Sequence, residues 1–247
     1  MRRVVLAALA VTCVTGCSSD SGRSPAQPES ITVPIRVSTA QQPEEDMNHS
    51  VHLSGGQEVF TPAPGALSPA DSNAQGQAII RISRDGDSFD YKLIASNIDN
   101  IVQAHIHCAP EGVNGPIVVW FYPSKTATTP LTGPTGRHDG PLAEDTITAS
   151  NVRTFTPNAA NNAACPLTTA GAPTFAEVLD KLRSGNAYVN VHTNDGVAPT
   201  NTGPGDFPGG EMRGQFTLED SLSGRGRTLA SLPAVHRASV RESLAGA

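Results

Sequence analysis

Apolar residues in the middle of this chain recur at every second position, which commits that region to strands rather than helices. In residues 88–95 (SFDYKLIA), Phe89, Tyr91, Leu93 and Ala95 share one face, with Asp90 and Lys92 opposite. A matching run at 77–82 (QAIIRI) is separated from it by Arg84-Asp85-Gly86-Asp87. An Asp-Gly pair between two such runs predicts a β-hairpin, because glycine accepts the left-handed backbone of a tight turn. Further strand-like runs lie at 101–107 (IVQAHIH), 117–122 (IVVWFY), 187–193 (AYVNVHT) and 211–218 (EMRGQFTL). Residues 51–59 add a strand broken at Gly55-Gly56. Many short strands joined by Gly/Pro turns predict a mainly β protein, an antiparallel Greek-key-like sandwich or barrel.

One short helix is expected. Thr174 and Glu177 match a capping box, in which a hydroxyl and a carboxylate satisfy the first free amides of a helix. Phe175, Val178, Leu179 and Leu182 then form an apolar stripe, and Gly185 stands where a C-terminal cap glycine would. The stretch 123–173 reads mostly as long loops, with 145–152 as its one candidate strand.

The N-terminus has the layout of an export signal: Arg2 and Arg3, then an apolar run at 4–14 too short to span a bilayer as a helix. It ends in Val14-Thr15-Gly16-Cys17, which resembles the bacterial lipobox. That resemblance implies cleavage after residue 16, lipid on Cys17 and attachment to a membrane outside the cytoplasm. The alternative is ordinary cleavage with Cys17 left as a free thiol. Residues 17–46 read as a lipidated start and flexible linker, though 31–37 could form an edge strand limited by Pro34. Residues 47–218 are a normal size for one domain. Residues 219–247 are sparse in apolar groups and read as a disordered tail.

A formal net charge of -6 with no basic patch argues against a nucleic-acid partner. Of the four cysteines, Cys13 falls in the signal and Cys17 at its end, which leaves Cys108 and Cys165. A disulfide between them suits an oxidising compartment; two buried thiols are the alternative. Enzyme signatures are missing: there is no Gly-x-Ser-x-Gly elbow, phosphate-binding glycine loop or His-Glu-x-x-His. The chain therefore reads as a non-enzymatic binding or structural module whose partner is an unidentified protein or small ligand.

The chemistry that does stand out is histidine. In a strand, residues i and i+2 share a face, so His105 and His107 sit about 6–7 Å apart at Cβ. A second strand places Asn190 and His192 on one face. If the strands meet, three imidazoles converge, a ligand set suited to copper or zinc. The competing view is that these side chains tie down loops or line a solvated face. His49, His52, His138 and His236 read as solvated.

Four motifs occur in order: LSGGQEV at 53–59, AHIH at 104–107 running on to GVNGPIV at 112–118, YVNVHT at 188–193, and GGEMRGQ at 209–215. Together they resemble the CHRD domain, named after chordin and present in many bacterial exported proteins. The resemblance spans 51–218 and implies an extracytoplasmic β domain with no catalytic activity to carry over. It also points to Cys108 and Cys165 as a pair. The chain is more weakly similar to copper–zinc superoxide dismutase, an antiparallel sandwich with a His-x-His strand. By that likeness His105 and His107 are paired ligands, His192 the distant ligand and Arg213 an anion guide. No His and Asp cluster follows His107 to form a zinc subsite, so the likeness implies one mononuclear site. Asn190, Glu211 and Arg213 complete the candidate site.

Overall fold

A computed structural model describes residues 48–61 and 65–217. The signal-like start, Cys17, the 31–37 segment and the 219–247 tail lie outside the described residues.

The strands are β1 (Asn48–Ser54), β2 (Gln75–Ile82), β3 (Ser88–Asp99), β4 (Ile101–Cys108), β5 (Ile117–Tyr122), β6 (Arg137–Thr148), β7 (Ala187–Thr193) and β8 (Met212–Gln215). They form one sheet in the order β5-β4-β7-β8-β1-β2-β3-β6, with antiparallel neighbours throughout. An antiparallel bridge between Val119 and Val152, with Arg153 N–H donating to the Val118 carbonyl, brings the two ends together. The sheet is thereby rolled into a nearly closed barrel, as the spacing of short strands predicts.

The alternation seen in the sequence is what buries the core. Phe89, Tyr91, Leu93 and Ala95 point inward, while Lys92 reaches across the outer face to Glu144 at 3.5 Å. The hairpin between β2 and β3 turns through Gly86 at φ 74°. There Ser83 Oγ donates to Asp85, and the Asp87 amide donates to the same carboxylate.

Two helices are present, α1 (Ala159–Ala164) and α2 (Phe175–Arg183). The predicted capping box of α2 is formed: Thr174 accepts from the Glu177 amide and Glu177 from the Thr174 amide. Its apolar stripe packs into the barrel core, with Phe175 stacked on Phe89 at 5.9 Å.

Three expectations are corrected. The candidate strand at 145–152 is part of a longer one, which runs over residues 137–148 and gives way to a single helical turn at 149–151, and α1 follows where loop was expected. The strand β6 is an edge strand whose RHDGPLAEDTIT sequence buries only Ile147, so no apolar alternation marks it. Its hold is mainly the backbone ladder to β3, with Thr146 Oγ1 donating to Asp90 on the outer face. His138 therefore lies in a strand. His49 is buried rather than solvated: β1 turns it inward with Val51 and Leu53, and its ring meets Phe216 edge-on at 6.1 Å.

Cys108 and Cys165 form a disulfide that ties the end of β4 to the end of α1 across 57 residues, with both sulfurs in the core. Closing a loop of that length contributes roughly 4 kcal/mol by chain-entropy reasoning. A Cys108→Ala, Cys165→Ala variant is expected to lose about 2–5 kcal/mol in equilibrium denaturation. An unchanged denaturation midpoint would contradict this.

Candidate metal centre

Both faces of β4 and β7 are buried, and this sets up the site. Ala104, Ile106, Val189 and Val191 enter the barrel core. The alternate residues point out through the barrel wall. Strand pairing sets His105 opposite Asn190, His107 opposite Tyr188 and Gln103 opposite His192. The three histidines therefore meet on the outer side of the wall, where the loops at 109–116 and 194–211 provide backbone partners for two of them.

The ligating nitrogens of His105, His107 and His192 all lie within 4.8 Å of one another. Each loop fixes one ring. His107 Nδ1 is 2.8 Å from the Gly115 carbonyl, and His192 Nδ1 is 2.9 Å from the Pro208 carbonyl. A carbonyl only accepts, so both rings carry their proton on Nδ1 and present a bare Nε2. Those two Nε2 atoms, and both nitrogens of His105, are buried with no hydrogen-bond partner among the described residues.

Burial holds all three rings neutral, and the neighbouring imidazoles add to it for His105 and His107. It pushes His192 down to about 4 and His107 to about 3, and His105 far below the usual histidine range. Neutral rings with Nδ1–H anchored on carbonyls and Nε2 converging are the usual preparation for a metal ion. Three imidazoles suit zinc or copper(II) and leave a coordination position open. Loop tying alone accounts for His107 and His192, but His105 ties no loop. Among the described residues no other group of three such side chains gathers this closely.

The remaining predicted site residues surround the cluster. Arg213 is 1% exposed and stacks over the Tyr188 ring at 3.5 Å. Tyr188 in turn stacks on His107, nearly parallel, at 4.8 Å. The guanidinium donates to the Pro110 and Val113 carbonyls, to Asn114 and to Gln215. It thus clamps the loop whose Gly115 carbonyl orients His107. Glu211 accepts from Ser72, Thr193 and the Gly205 amide, so its carboxylate joins three segments and is not part of the imidazole cluster.

Asn190 donates to both oxygens of Glu58 at 3.1 Å. Burial pushes the Glu58 carboxyl up to about 8 despite the opposing pull of Arg213. Gly210 covers this pair so closely that a Cβ there would lie 2.7 Å from Asn190 Oδ1 and from Glu58 Oε1.

Sequence reasoning missed Glu58, Tyr188, Trp120 and the Gly115 and Pro208 carbonyls. Trp120, opposite His105 on β5, packs edge-on against that ring at 4.1 Å. Glu58, Tyr188 and Gly115 all fall inside the four motifs, so their position there was the available signal. Pro208 lies just before the fourth motif.

An antiparallel barrel with polar side chains gathered on one outer wall defines a mainly β module. The family model for the CHRD domain matches residues 49–216, and the chain belongs to that family. Comparison with curated proteins and with solved structures found no match. No helix among the described residues is long and apolar enough to cross a membrane.

Proposed function

We propose that this chain is an exported, lipid-anchored CHRD module that holds one copper or zinc ion through His105, His107 and His192. The observation that carries the reading is the set of buried, unpartnered imidazole nitrogens facing one another while the Nδ1 atoms of His107 and His192 are pinned to carbonyls. A metal ion satisfies one of these nitrogens on each of the three rings. The other reading is a binding or structural module in which the histidines tie loops. It draws on the same Nδ1 contacts and leaves His105 without a role.

Metal loading decides between them. The chain, loaded with copper(II) or zinc and dialysed, is expected to retain one ion per chain by elemental analysis. Alanine at any of the three histidines should release it. Trp120 is the single tryptophan, so copper(II) should also quench the intrinsic fluorescence. Stoichiometry far below one in the unmodified chain, or equal retention in all three variants, leaves only the loop-tying reading.

The anchor rests on Cys17 at the end of the short apolar run. More than one acyl chain is needed for stable attachment to a membrane. Cys17→Ser is expected to move the protein from the membrane to the soluble fraction. Unchanged retention would count against lipidation.

A further inference from the structure

Beside the histidine cluster, the outer side of β5 opens into a solvent-facing groove of about 640 Å³. Small-molecule sites range over roughly 300–1,000 Å³, so the groove has room for a one- or two-ring compound. Trp120, Phe155 and Ile117 supply apolar wall, and Thr154, Asn161 and Arg153 supply polar groups. We propose that this groove binds a planar aromatic carboxylate, with its ring against the apolar wall and its carboxylate on Arg153.

The charge argument comes from Arg153. Its Nη2 donates to the Lys125 and Ala127 carbonyls, at 3.3 Å and 2.9 Å, which fixes the head group at the groove. No acidic side chain among the described residues pairs with it. The groove therefore has a positioned guanidinium with an unneutralised charge and no carboxylate in its lining. With Nη2 held by the two carbonyls and Nε buried, Nη1 is the nitrogen left to donate to a carboxylate, and such a charge-assisted contact is among the stronger polar contacts. The lining favours a flat ring next to that anion, because indole and phenyl groups gain most from stacked or edge-on aromatic contact.

Trp120 belongs both to this groove and to the wall of the imidazole cluster, so its fluorescence reports on a ligand here. The proposal does not depend on a bound metal, and the metal-free chain is the right material for testing it.

The test is calorimetric titration of the purified, metal-free chain with 2-naphthoate and, separately, with its neutral amide, 2-naphthamide. Naphthoate should bind at least about tenfold more tightly than the amide, as a charge-assisted contact implies. Saturation should change Trp120 emission. Arg153→Gln should abolish the preference for the acid, and Arg153→Lys should keep part of it. Equal binding of acid and amide, tighter binding of the amide, or no response to millimolar naphthoate overturns the proposal. So does an undiminished preference in Arg153→Gln. Should Arg153→Gln fail to fold because it frees the Lys125 and Ala127 carbonyls, the acid and amide comparison on the unmutated chain decides alone.

Discussion

Replacing His105 with phenylalanine is expected to abolish metal retention and yet stabilise the metal-free domain by about 1–3 kcal/mol. His105 is fully buried, both its nitrogens lack partners among the described residues, and its ring packs against Trp120. Leaving a buried polar group unpaired costs roughly 1–3 kcal/mol, and a phenyl ring removes that cost while keeping the edge-on packing. Loss of one ligand of three should lower metal affinity by more than about a hundredfold, since even supporting residues outside the coordination sphere are worth 10–100-fold.

His107→Phe supplies the contrast. It should lose metal equally but lower stability, because it deletes the bond to the Gly115 carbonyl. Denaturation and metal analysis of both variants separate the possibilities. If His105→Phe is less stable than the parent by as much as His107→Phe, the site is a structural one.

The second large effect is acid sensitivity of the metal-free domain. Burial lowers all three histidines from the ordinary 6.5, to about 3 for His107 and about 4 for His192, with His105 lowest. As pH falls through 6.5 the unfolded chain takes up these protons and the folded chain does not. Stability that is fully present above 6.5 therefore drains away until the folded rings themselves protonate. Linkage gives about 2 kcal/mol per ring by pH 5.

Glu58 acts in the opposite sense. Its carboxyl is raised from 4.5 to about 8, so between those values it costs stability as pH rises. Three rings outweigh one carboxyl on the acid side, which places the stability maximum near about pH 7. Urea denaturation of the metal-free chain at pH 7 and pH 5 should show a net loss of about 3 kcal/mol, because Glu58 offsets part of what the three rings lose, and His105→Phe should remove more than half of it. Equal stability at the two pH values would show that the rings are not held neutral.

How much of this was legible depended on whether a residue's role follows from its immediate neighbours. β3 and the β2–β3 hairpin were readable because their apolar positions alternate and Asp85-Gly86 marks the turn. The helix α2 was readable because Thr174 and Glu177 cap it and its stripe has helical spacing. Only the 145–148 end of β6 was, because an edge strand with a largely wet outer face is held mainly by backbone partners and carries little apolar alternation. The shared face of His105 and His107 is a consequence of strand pitch and was visible at once. The arrival of His192 beside them depends on β4 pairing with β7, a long-range choice that no local pattern dictates. Likewise, the pinning of two imidazoles by Gly115 and Pro208 is backbone chemistry, which residue type does not reveal. His49 was misread because Phe216, which covers it, lies at the far end of the described chain.

The wall formed by β4 and β7 is one strand thick, with aliphatic side chains on one side and imidazoles on the other. Neighbouring positions in the sequence therefore answer to different demands. Residues 104, 106, 189 and 191 answer to packing, whereas 105, 107, 190 and 192 answer to polar chemistry. A metal-blind twin of this domain should be obtainable by editing the outward positions alone, with the interior left untouched. Such a twin would be the proper control in living cells. It would separate any effect of holding an ion from any effect of the folded domain alone.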